Sequence, residues 1–422
     1  MRSFILTCGI ILTLTACPHL SKGQHPLTKE AKKFTYLFEL GDGRLEGEGA
    51  ELLLFEATRS TFFLVGEETG IEETPSILWA IYQHAYKIGL RFNHLAVDVS
   101  PSIAIQLQDL ALEPDADRLM KQFFSSQADI ASAYSLPSEQ FMLSNVLSTA
   151  ESNAYVLWGI GPTKMSELRN DLNFLLELAP DRDAEKILEK YIRDTEKAYS
   201  TFLKDKNPAS LSFFSFGERE FQSLNTIFEE DEEALMVIKD LAASQSVYTL
   251  TEELTLQERT SEKEAMMKRR FRRYYQDALA TQSKAPRVMA RVNWKSGFKG
   301  AIPGSSTKSF GNYLQGYGKK NNQKTFHLLV LGGIQDSVLQ KEPGQPIAYE
   351  ATLGTAFKED KDNDLSPLIA AVPAGKKAVI ELTPLRNRVK NTGLAVNPLL
   401  QKILNEYDAV LIVGGGENGP SD

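Results

Sequence analysis

Apolar positions change their period several times along the chain, and each change marks an element. FTYLFEL (34–40) alternates as a half-buried strand does, and GDGRLEGEG (41–49) follows as a glycine-rich turn region. Ala50–Thr58 carries a short helical pattern that leads into a strand at 61–65. Thr74-Pro75 opens a helix, with the proline in its first turn and Ile77, Leu78, Ile81, Tyr82 and Ala85 recurring at helical spacing. HLAVDVS (94–100) has the continuous apolar character of a second buried strand. From about 101 to 283 the pattern is helical, interrupted by the strand-like AYVLWGIG (154–161), and a long helix is predicted over 257–281. Strand signals return at 287–293, 325–332, 377–382 and 408–413, with helical segments at 308–316 and 396–404 between them and no internal repeat. The fold class is therefore α/β, a central, mainly parallel sheet flanked by helices, with a large helical insertion at about 101–283.

The strand at 61–65 runs into Gly66-Glu67-Glu68-Thr69-Gly70, and the strand at 94–97 into Asp98. In a parallel βαβ unit both carboxylates lie at the carboxyl edge of the sheet, where open α/β sheets place their ligands. This predicts one cleft containing Glu67 and Asp98, with Trp158 and the 293–300 loop on its rim.

These residues resemble the Gly-Glu-x-His-Gly motif of the erythromycin esterase-like and ChaN-like superfamily. Further landmarks follow in the order and spacing of an intact member: Val97-Asp98 with Pro101, Leu157-Trp158-Gly159, Lys263-Glu264 with Met267 and Phe271, and Gly311-Asn312. The resemblance spans nearly all of the mature chain. It implies a water-activating site built from the strand-end Glu, the motif His and a second His in a later loop. Here Thr69 stands in place of the first histidine, and Asn293, Trp294, Lys295 and Ser296 cover the place of the second. Trp158-Gly159-Ile160 is followed by Gly161 and Pro162, so the acid of the family's Trp-Gly-x-Asp strand end is also absent. General-base catalysis needs a group that takes a proton near neutral pH, which imidazole does and a threonine hydroxyl does not.

The expectation is a scaffold kept for binding, with Glu67 and Asp98 as vestigial catalytic residues. Glu68, Thr69, Trp158, Arg270, Lys295 and Ser296 are the candidate ligand contacts for an unknown small molecule. Arg270 belongs to the basic run Lys268–Arg273, which is either a solvated helix face or a holder of an anionic ligand. The alternatives are a hydrolase with an altered, carboxylate-based site on Glu67 and Asp98, or a haem-binding lipoprotein of the ChaN-like branch. For the latter, Tyr274, Tyr275 and Tyr313 are the candidate ligands. The five histidines, His19, His25, His84, His94 and His327, read as structural or tether residues, and no metal site is predicted.

The amino terminus changes the picture of compartment. Arg2 precedes an apolar stretch, Phe4–Leu14, too short to span a bilayer, and then Leu14-Thr15-Ala16-Cys17. This is the order of a bacterial lipobox with Cys17 as the lipidated residue; the other readings are an ordinary signal peptide cleaved near Ala16 and an uncleaved cytoplasmic start. Residues 1–17 are then the leader, 18–30 a polar tether and 31–422 the α/β domain. Pro18 after the cysteine favours the outer membrane, by resemblance to Gram-negative lipoproteins. With Cys8 inside the leader, the mature chain keeps no thiol for a disulfide or a nucleophile. The net charge of −8 speaks against a nucleic-acid partner.

Three motif-like stretches fail on inspection. In GAIPGSSTKS (300–309) Thr307 precedes Lys308, the reverse of a phosphate loop. DKDND (360–364) lacks the glycine and the closing glutamate of a calcium loop. No Gly-x-Ser-x-Gly elbow is present.

Overall fold

Strands form where the apolar runs lie. They are β1 Thr35–Gly41, β2 Arg44–Glu46, β3 Phe62–Glu67, β4 His94–Val97, β5 Leu157–Gly159, β6 Val288–Asn293 and β7 Thr325–Gly332, then β8 Ser337–Gln340, β9 Tyr349–Thr352, β10 Lys377–Glu381 and β11 Ala409–Val413. The computed structural model describes residues 25–414 apart from 68–70, 72, 127–136, 150–154, 166, 206, 249–255, 283, 333–336, 341–348 and 353–363. Glu68, Thr69, Cys17 and the run 360–363 thus lie outside the described residues.

One sheet has the order β2-β1-β10-β11-β7-β3-β6-β4-β5, and β8 pairs with β9 apart from it. The block from β11 to β5 is parallel, while β1 and β10 add an antiparallel margin. All six positions of β3 are buried, as expected of a central strand covered on both faces. β6 lies between β3 and β4, so the predicted βαβ unit is parallel, but a third strand separates its two members.

The helices are α1 Pro26–Ala31, α2 Glu48–Arg59, α3 Thr74–Lys87, α4 Pro101–Leu112, α5 Ala116–Ser126 and α6 Pro137–Leu147. They continue with α7 Leu168–Glu177, α8 Arg182–Asp205, α9 Ser212–Ser215, α10 Glu218–Ile227, α11 Glu232–Tyr248, α12 Leu256–Thr281 and α13 Phe310–Lys320. Local chemistry sets several of their ends. Ser100 caps α4 before Pro101, Ser309 caps α13 by accepting from the Asn312 N–H at 2.9 Å, and Gly89 closes α3 in the left-handed region at φ 74°.

Alternation in β3 sends Phe63 and Val65 into a core with Ile77 and Ile81 of α3 and Leu143 of α6. Phe62 and Leu64 point to the other face, against Met267 and Phe271 of α12 and Phe310 of α13. α4–α12 fill the chain between β4 and β6 around β5, in agreement with the predicted insertion, and α7–α11 share a core of their own around Leu172, Phe213 and Leu241. Residues 26–30, expected in the tether, form part of α1. α1 buries Leu27 and Ala31, and Thr28 Oγ1 donates to the Pro367 carbonyl at 2.9 Å. The region 41–49 is likewise not all turn, because β2 pairs back on β1 there.

Candidate functional site

The glycine before Glu67 is required by close approach. A Cβ on Gly66 would press on the Tyr407 hydroxyl and stand 3.2 Å from the Trp294 Cα, and one on Gly297 would meet the same hydroxyl. Tyr407 comes from the approach to β11 and donates to the Trp294 carbonyl at 2.5 Å, so it bolts the turn after β6 beneath the end of β3. Asn293 caps this turn, Trp294–Gly297, by accepting from the Lys295 N–H at 3.0 Å.

Glu67, the last residue of β3, shares a face with Arg291 of β6, whose register partner is Val65. Arg291 donates through Nε to Glu67 and through both terminal nitrogens to Glu139, in the first turn of α6. All three are buried; Glu67 is 4% exposed. One guanidinium thus faces two carboxylates in a dry site. Burial pushes the Glu67 carboxyl up to about 7 against the pull of Arg291, and the Glu139 carboxylate pushes it the same way. Among the described residues, Glu67 Oε2 has no hydrogen-bond partner.

Asp98 follows β4 at the same sheet edge but on the other side of it. Val97 is the register partner of Arg291, so the next side chain faces α12, where Asp98 is held by Lys263 at 2.8 Å. Glu67 and Asp98 therefore face opposite sides of the sheet, with β6 between their strands, which corrects the expectation of one cleft around both. Behind Asp98 lies a second buried polar cluster. Asp171 of α7 accepts from Ser102 of α4 and is pushed by burial up to about 7, and burial likewise raises the Glu167 carboxyl.

The remaining candidates are mostly built into the protein. Trp158 is not on a rim: it is buried between His94, 4.1 Å between ring centroids, and Tyr274 at 5.6 Å, because β5 turns that side chain into the core under α12. Arg270 is buried as well, with Nη1 donating to the Gly161 carbonyl and Nε 3.1 Å from Asp240 of α11. It ties the insertion to the end of β5 and is not part of a solvated face. Ser296 is buried and donates to Glu264 Oε1 at 2.6 Å, whereas Lys295 is exposed beside the Trp294 ring.

His327 reaches the turn beneath the end of β3, whereas His94 lies at the opposite end of its strand. His94 opens β4, and His327 lies in the first half of β7 with Nδ1 2.8 Å from the Gly297 carbonyl; burial pushes each down to about 4. Packing engages all three candidate haem tyrosines. Tyr275 is buried among Phe62, Phe271 and Tyr317, its hydroxyl accepting from Gln323 at 3.2 Å, and burial pushes that phenol up to about 12. Tyr274 is stacked on Trp158, and Tyr313 packs against Phe271 with Arg272 over its ring. Among the described residues no three His, Cys, Asp or Glu side chains are grouped to hold a metal ion.

Sequence reasoning overlooked Arg291 and Glu139. A lone arginine inside VMARVN, a strand otherwise apolar up to its last residue, was the available signal, because a charge there is buried and needs a partner.

Solved structures share this architecture. Erythromycin esterase EreC, captured as a histidine variant in its open conformation, superposes with a TM-score of 0.54 at 15% identity, over 88% of this chain and 95% of that one. This chain has an erythromycin esterase-like fold. A Bacillus cereus protein gives 0.56 at 12% identity, and a succinoglycan biosynthesis protein 0.57 at 10%, each over 92% of this chain and 96% of the other. At such identities the likeness is one of fold. No family model and no curated protein matches the sequence.

Proposed function

We propose that this protein is a cell-envelope lipoprotein, anchored through Cys17, that uses its erythromycin esterase-like fold to bind a small molecule without hydrolysing it. The observation that carries this reading is the partner of Glu67. In place of an imidazole the carboxylate meets Arg291, and a guanidinium is always protonated and cannot take a proton from water. Thr69 and the 293–296 turn add no histidine to this sheet edge. The leader pattern ending in Leu14-Thr15-Ala16-Cys17 supports the anchor, and the proline that follows supports the outer membrane of a Gram-negative envelope.

Purified protein is expected to show no turnover of macrolide lactones or activated esters above a Glu67→Gln control. One further observation favours a second reading, a hydrolase whose base is Glu67 itself: its carboxyl is pushed up to about 7, and one oxygen lacks a partner among the described residues. Wild-type hydrolysis that vanishes in Glu67→Gln would establish that reading and overturn the first.

A further inference from the structure

The end of the molecule opposite Glu67 and Asp98 is a single bonded floor. Arg287 knits it together, donating through Nε to the Ser60 carbonyl at 3.0 Å, through its terminal nitrogens to Leu90 and Ala57, and through its backbone N–H to Asn93 at 2.9 Å. The Thr61 N–H reaches the Lys324 carbonyl at 2.9 Å, and His94 Nδ1 lies 2.7 Å from the Tyr155 carbonyl. The approaches to β3, β4, β5, β6 and β7 therefore lie side by side.

Large apolar side chains are exposed on this floor. α3 ends in a Schellman motif, in which the Gly89 N–H bonds the Tyr86 carbonyl at 3.1 Å and the Leu90 N–H the Ala85 carbonyl at 2.9 Å. The motif leaves Ile88 48% and Leu90 46% exposed, and Phe55 on α2 is 56% exposed. Tyr86, in the last turn of α3, and Tyr155, on the approach to β5, are exposed as well. Arg59, Lys87, Lys284, Lys319 and Lys320, on segments that reach this end, are exposed, and Arg59 lies over the Phe55 ring. Lys319 and Lys320 end α13, whose chain turns back into β7 at this floor. Carboxylates are present too: Glu56 pairs with Arg59 and Lys324, and Asp109 and Glu233 act on the Tyr155 phenol.

We infer that this floor docks on an anionic phospholipid bilayer, with Ile88 and Leu90 at the boundary of headgroup and acyl chain. Tyrosines suit that boundary, and each lysine or arginine near an anionic surface contributes about 1 kcal/mol. The inference rests on the lipoprotein reading for its geometry. If Cys17 carries the lipid, residues 18–24 reach at most about 25 Å, so the body stays near the bilayer and a face that fits it meets it at a high effective concentration. This floor offers exposed apolar side chains and cations together.

The test uses the chain from Pro18 onward, without leader or lipid, in flotation with vesicles. It is expected to bind phosphatidylglycerol and phosphatidylethanolamine vesicles, to release in high salt and to ignore phosphatidylcholine vesicles. Ile88→Glu with Leu90→Glu, and separately Lys319→Glu with Lys320→Glu, are each expected to weaken binding about tenfold or more with an unchanged melting temperature. Absence of binding, or binding that both variants retain, overturns the inference. So does a dimer that Ile88→Glu dissociates while vesicles are ignored, which assigns the face to a second copy. Palmitate labelling of wild type against Cys17→Ser reads the anchor separately: label without vesicle binding removes the docking face alone, and vesicle binding without label removes the anchor alone.

Discussion

Arg291 governs the end of β3 because its guanidinium is the common partner of two buried carboxylates. Taking such a partner away leaves charge in a dry site, a change that costs about 3–5 kcal/mol. Arg291→Leu is therefore expected to lower the unfolding free energy by about that amount at neutral pH, read by urea titration, whereas Lys295→Leu, at an exposed side chain, changes it by less than about 0.5 kcal/mol. Equal stabilities of the two variants would show that Arg291 is not the clamp described. The residue was visible in the sequence as a charge in an apolar strand, but its partners lie 224 and 152 positions away and no local pattern points to them.

At the scale of elements, β3, the turn after β6 and the approach to β11 meet at one tyrosine hydroxyl. Gly66→Ala places a methyl group on the Tyr407 hydroxyl, and overpacking of this kind costs about 1–3 kcal/mol. Tyr407→Phe removes the atom that is struck, along with its hydrogen bond to Trp294. The double variant Gly66→Ala with Tyr407→Phe is thus expected to be more stable than the sum of the single effects predicts, by at least about 0.5 kcal/mol in a denaturation cycle. Strict additivity would show that the two do not meet. Gly66 was legible as part of a motif; its reason is packing, since its φ does not demand a glycine.

Across the whole molecule, buried titrating groups pull stability in opposite directions with pH. The Glu67 carboxyl, raised from 4.5 to about 7 by burial, contributes stability that is complete below pH 4.5 and lost as pH rises through about 7. Asp171, raised from 3.8 to about 7, acts with the same sign. His94 and His327, lowered from 6.5 to about 4, contribute stability that is complete above pH 6.5 and lost as pH falls through about 4. Glu67→Gln removes one member of the first pair. Wild type is therefore expected to lose stability relative to this variant by up to about 3 kcal/mol between pH 4.5 and 7, measured by urea unfolding across that range. A difference independent of pH would show that the carboxyl does not titrate there.

The sequence by itself determined the α/β class, the parallel strands, the position of the helical insertion and the acidic residues at the strand ends. Each of these is written in a local period or an abrupt change of composition, and β7 appears at the predicted positions 325–332. Only the tertiary structure decided that β6 separates β3 from β4, that Glu67 and Asp98 face opposite sides of the sheet, and that Trp158 and Arg270 are consumed by packing and ion pairing. Strand order arises from which distant segments pair, and the face a side chain takes follows from the register of that pairing. Neither leaves a trace in the residues next to it along the chain.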